Sequence, residues 1–156
     1  MKFFLFFFLF SLSCWSQAND FSVRHKELIW ENVIITNETG IPERIARHSR
    51  LSIISSDKSI YKGKGSLLKI NCPGSPEFMQ NDFSFDFEIE TGAGKYRITV
   101  YNIVYHTAKG KETAAEKYFL SKGVLKNDEA TKTGLNCIDA YFNRIFTNTL
   151  AYKNKM

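Results

Sequence analysis

Phe83-Ser84-Phe85-Asp86-Phe87-Glu88-Ile89-Glu90 alternates large apolar side chains with polar or acidic ones. Successive strand residues point to opposite faces, so this period of two describes a strand with one greasy face and one wet face. Such a strand belongs to an antiparallel sheet packed on one side only. Thr91-Gly92-Ala93-Gly94 then turns the chain, and Tyr96 to Tyr105 supplies a partner strand. Tyr96, Ile98 and Val100 share one of its faces. Arg97, Thr99 and Tyr101 share the other, and unbroken alternation puts Tyr105 there too. The pair reads as a β-hairpin.

Outward from the hairpin, Leu28 to Thr36 (LIWENVIIT) is rich in β-branched and aromatic residues and reads as a strand. Asn37, Thr39 and Gly40 form a helix-start cluster, with Pro42 in the first turn and Glu43 near the positive helix end. Ile41, Ile45 and Ala46 give that short helix an apolar face, and it ends near Arg50. Leu51 to Ser56 and Ser59 to Asn71 are further strands, joined by a tight connection at Ser56-Asp57-Lys58. Gly63 and Gly65 inside the second of these suggest a bulge or bend. Cys72-Pro73-Gly74-Ser75-Pro76 is a loop. The chain closes with a helix over Leu135 to Tyr152, where Leu135, Ile138, Tyr141, Phe142, Ile145, Phe146 and Leu150 recur at three- and four-residue steps. The Phe83, Phe85, Phe87 and Ile89 face is the expected partner of Phe142, Ile145 and Phe146. Thr107 to Thr133 carries Lys109, Lys111, Lys117, Lys122, Lys126 and Lys132 and few large apolar residues. It reads as a long lysine-rich loop, pinned at Tyr118-Phe119-Leu120. There are no internal repeats.

The N-terminus speaks to destination. Lys2 gives a positive start, Phe3 to Leu12 is apolar apart from Ser11, and Ser16-Gln17-Ala18 offers the small residues a signal peptidase reads. The apolar run is about half the length a bilayer-spanning helix needs. Residues 1–18 thus read as a cleaved signal peptide, and residues 19–156 as one exported α+β domain. Cys14 admits a second reading. Ser11-Leu12-Ser13-Cys14 partly resembles a lipoprotein box, in which Cys14 is lipidated and the mature chain is tethered to a membrane. The formal net charge of the whole chain is +5, with acidic and basic residues interspersed. That suits a solvated surface or a mild affinity for anionic head groups. Cys72 and Cys137 survive cleavage. In an oxidising compartment they pair as a disulfide or stay as two thiols.

This order, strand, helix, four strands, helix, makes an α+β sandwich of about five antiparallel strands with two helices on one face. The signal peptide, the Ile60-Tyr61-Lys62-Gly63-Lys64-Gly65 strand, the Phe83 to Glu90 strand and Gly94-Lys95-Tyr96-Arg97 resemble a family of exported Bacteroidetes proteins, domain of unknown function 4468. Thr91-Gly92-Ala93 departs from the family's Lys-x-Gly-x-Tyr-Arg stretch. The resemblance covers roughly Leu28 to Thr107 plus the closing helix. It implies a TATA-binding-protein-like fold and no established activity or site residues. Fold does not imply function, and the TATA-binding protein's use of a duplicated saddle on DNA does not transfer. This chain has one copy, and Asp86, Glu88 and Glu90 on its sheet face are expected to repel phosphates.

No residues form a motif of known chemistry. His25, His48 and His106 have no metal spacing, and neither cysteine sits in a ligand cluster. Gly63-Lys64-Gly65-Ser66 lacks the spacing of a phosphate loop, and no serine lies in Gly-x-Ser-x-Gly. Asp86, Glu88 and Glu90 line one face at strand spacing. They are the candidate for acid–base work in a small envelope hydrolase, or the solvated side of a half-buried sheet. Tyr101 and Tyr105, with Arg97, are the candidate ligand face. The expectation is a non-enzymatic envelope module with no cofactor, in the periplasm or at the outer membrane. It binds a protein or envelope component and no nucleic acid, and it meets a membrane only if Cys14 is lipidated.

Overall fold

The structure, a computed structural model, describes residues 19–107 and 110–147. The segment expected to be a signal peptide, with Cys14, and the last residues expected in the closing helix lie outside the described residues. Seven strands form the main antiparallel sheet: β1 (Phe21–Arg24), β2 (Glu27–Ile35), β3 (Leu51–Asp57), β4 (Ile60–Leu68), β5 (Asp82–Gly92), β6 (Lys95–His106) and β7 (Glu112–Ala114). Their order is β1-β2-β6-β5-β4-β3, with β7 paired antiparallel to the last residues of β6. The expected hairpin is β5–β6, at the centre of the sheet. Helices α1 (Ile41–Ile45), α2 (Glu116–Phe119) and α3 (Glu129–Thr147) and a two-stranded ribbon, β8 (Leu120–Ser121) and β9 (Val124–Leu125), complete the fold.

The core follows the period-two reading. Phe83, Phe85, Phe87 and Ile89 are buried, as are Phe142, Ile145 and Phe146 of α3. Phe85 meets Phe142 edge-on at 5.0 Å between centroids, and Phe87 meets Phe146 at 5.4 Å. Trp30 of β2 joins the same cluster, 5.3 Å from Phe142. β4 gives these rings room through its two glycines. A Cβ at Gly63 would sit 2.3 Å from the Phe87 ring, and one at Gly65 2.4 Å from the Phe85 ring. Polar bonds fix the helix along the sheet. Asp139 of α3 accepts from the Trp30 indole at 2.8 Å and from the Asp20 amide at 3.1 Å. Asn32 donates to Asn143 at 2.6 Å.

Three expectations need correction. The main sheet has seven strands, because β1 and β7 are short and carry no readable alternation. The lysine-rich segment is structured where described. It holds β7, α2 and the β8–β9 ribbon, and it buries Ala115 and Phe119. The closing helix starts at Glu129, where Asp128 accepts the Thr131 amide at 2.8 Å and caps the first turn. The sequence Asp128-Glu129-Ala130-Thr131 held that start signal. Gly134 obscured it, and it is tolerated because it packs on Met79 and Phe119.

Candidate functional site

One sheet face is covered by α3, while the other carries the polar residues of β5 and its neighbours. Alternation places Arg97, Thr99 and Tyr101 of β6 on this open face beside Glu90, Glu88 and Asp86 of β5. Lys62 and Lys64 of β4 stand opposite Glu88 and Asp86. Glu88, Asp86 and Glu90 therefore each meet a cation: Lys62–Glu88 at 3.4 Å, Lys64–Asp86 at 3.8 Å and Arg97–Glu90 at 3.4 Å. Arg24 of β1 similarly reaches Glu31 of β2 at 3.3 Å. The face expected to be acidic is a charge-balanced ladder. The sequence did not show this because cross-strand register brought the cations in. Asp86, Glu88 and Glu90, the carboxylates a hydrolase here would use as acid and base, each hold a cation within 4 Å.

Tyr101 sits mid-ladder, half-buried, against Asp86. Burial pushes its hydroxyl up from the usual 10.0, and Asp86 beside it adds to the shift. Tyr105 is not on this face. Asn102 adopts φ +51° and the β5–β6 register slips between Ser84 and Asp86. That bulge inverts the alternation, so Ile103 and Tyr105 turn into the core, where Tyr105 is 1% exposed. Its ring packs edge-on against Phe78 and Tyr118. The candidate ligand face thus reduces to Arg97 and Tyr101 with the ladder around them. At the turn end of the face, Val33, Ile35 and Ile60 are exposed, at 46%, 86% and 37%. Sequence reading passed over them, although Ile29, Glu31, Val33 and Ile35 alternate out of phase with the buried Leu28 and Trp30.

Cys72 and Cys137 meet as a disulfide with Cα atoms 6.3 Å apart, within the range such bonds span. Of the three histidines, His25 occupies a left-handed turn position with φ +53°. His48 accepts the Arg50 amide, and burial lowers its affinity for a proton. His106 lies on the open face beyond the bulge. No group of three metal-binding side chains occurs among the described residues, and no described helix is long and apolar enough to cross a membrane.

No known family model matches the chain, and no curated protein matches it in sequence. Two solved structures resemble it. One is a TBP-like protein from Parabacteroides distasonis, with a TM-score of 0.58 and 12% identity over 83% of this chain and 94% of that one. The other is a DUF4468 family protein from Bacteroides ovatus, with a TM-score of 0.50 and 10% identity over 88% of this chain and 92% of that one. The fold is therefore TATA-binding-protein-like, in agreement with the resemblance carried by the β4, β5 and β6 residues. Identities this low speak for the fold alone.

Proposed function

We infer that the protein is an exported binding module whose open sheet face is its contact surface for a protein or envelope component. The observation that carries this is the division of the sheet. One face is filled by aromatic packing on α3. The other presents Tyr101, a flat ladder of paired donors and acceptors, and the exposed Val33, Ile35 and Ile60. Aromatic and apolar groups among satisfied charges are the composition of a recognition surface. Export rests on the residue 1–18 pattern, and tethering on Cys14. Turnover by Asp86, Glu88 and Glu90 is not part of the reading, because each stands within 4 Å of a cation.

Specific nucleic-acid binding is not part of it either. Phosphate contacts need clustered, uncompensated Lys or Arg, and the ladder's cations are engaged with carboxylates. Two experiments test the proposal. Tyr101→Ala with Arg97→Glu should abolish binding to isolated envelope fractions while leaving the fold intact. A panel of glycan, ester and peptide substrates should show no turnover that Glu88→Ala removes. Turnover by the parent that disappears in Glu88→Ala, or undiminished envelope binding by the double variant, overturns it.

A further inference from the structure

Beyond the bulge, the open face holds an arrangement that the ladder does not explain. Ser84 Oγ lies 2.8 Å from His106 Nε2, and His106 Nδ1 lies 3.5 Å from Glu112 Oε1. Three strands supply the three groups. Ser84 on β5 faces Val104 on β6, and His106 on β6 faces Glu112 on β7. The Leu67 amide donates to Ser84 Oγ at 3.3 Å, which leaves the hydroxyl one lone pair and its own proton for His106. In the tautomer with the ring proton on Nδ1, facing Glu112, the Ser84 O–H donates to Nε2. This is the order nucleophile, base, orienting carboxylate. It borders a groove of about 290 Å³ that Lys64 and Asn102 also line. Leu67 and Asn102, which flank the groove, both hold φ +51°. Each sits at a register shift of its strand, so two bulges side by side shape the groove.

We propose that Ser84, His106 and Glu112 form an acyl-transfer site that takes small activated esters, a role separate from binding by the ladder. Ser84 Oγ attacks the ester carbonyl carbon as its proton passes to His106 Nε2. The C–O bond to the leaving group then breaks, and the departing alkoxide takes that proton back as an alcohol. Water attacks the acyl-serine, giving its proton to Nε2. The Ser84–acyl bond breaks, the acid is released, and the proton returns to Ser84 Oγ. Ser84 and His106 are the catalytic residues. Glu112 is a positioning residue that holds the ring tautomer and stabilises the imidazolium.

The test uses the purified chain with a fluorophosphonate probe and p-nitrophenyl acetate. Mass spectrometry should find one phosphonyl adduct, on Ser84, and the acetate ester should show a burst followed by slower turnover. Ser84→Ala should lose both while melting within a few degrees of the parent. His106→Gln should slow labelling by about 10²- to 10⁴-fold, the usual range for a general base. Glu112→Gln should slow it with unchanged thermal unfolding, and Glu112→Asp should recover part of the rate, which a merely structural role does not predict. Adducts spread over lysines and tyrosines, no adduct at all, or an ester rate unchanged in Ser84→Ala would each overturn the proposal.

Discussion

Phe85 and Ser84 are neighbours in sequence and opposites in environment. Phe85 is buried against Phe142 of α3 and over Gly65, whereas Ser84 faces outward with two hydrogen bonds. Phe85→Ala should cost about 3–5 kcal/mol, as aromatic truncations in cores do. Ser84→Ala should cost about 1 kcal/mol or less, the net worth of an ordinary hydrogen bond. Denaturant melts of both variants check this, and equal losses would mean the strand faces are wrongly assigned. Asp20 gives a prediction of opposite sign. Burial raises its carboxyl above the usual 3.8, and the Asp139 carboxylate adds to the shift, against a hydrogen bond from Asn143. The folded state thus holds the Asp20 proton more tightly than the unfolded chain does. Its ionisation weakens the fold as pH rises through that raised value, and the weakening persists at neutral pH. Asp20→Asn should raise the melting temperature at pH 7, and the advantage should shrink as pH falls toward 3.8. An advantage independent of pH would contradict the assignment.

The β5–β6 hairpin was legible because alternation over eight or more residues is a strong signal. The faces of β5 followed directly. The last third of β6 did not, since one residue, Asn102, inverts the alternation and nothing in its neighbours announces a bulge. That is why Tyr105 was assigned to the wrong face. β7, β8 and β9 have two or three residues each, too few for any period, and are held by pairing and by Phe119 in the core. The Ser84–His106–Glu112 arrangement escaped for the same reason. The bulge and β7 create it, and no local motif encodes it. α3 is also tied to the loop after β4 by Cys72 and Cys137, separated by 65 residues. Closing a loop of that size stabilises by about 4 kcal/mol in the chain-entropy model. Cys72→Ser with Cys137→Ser should therefore lower the melting temperature by many degrees, and reductant should do the same to the parent. A parent that melts identically with and without reductant would show that the bond does not form.

The molecule as a whole sets an aromatic core on one side of a sheet and a charge-balanced face on the other. The net charge of +5 is not concentrated on that face, where Arg24, Lys62, Lys64 and Arg97 are offset by Glu31, Glu88, Asp86 and Glu90. The recognition we propose there would rest on shape, Tyr101 and the apolar edge at Val33 and Ile35, and should persist in moderate salt, unlike attraction by unpaired charge. The decisive measurement is amide chemical-shift mapping of the labelled domain at about 0.15 M salt, where the Debye length is ~8 Å. Isolated peptidoglycan fragments, lipopolysaccharide micelles and a DNA duplex are titrated in turn. An envelope component should move the amides of Val33, Glu88, Arg97 and Tyr101 together and leave α3 unmoved, and the duplex should move none of them. Shifts confined to α3 or the β8–β9 ribbon, or open-face shifts caused by the duplex alone, would contradict the claim that this face is an envelope-binding surface.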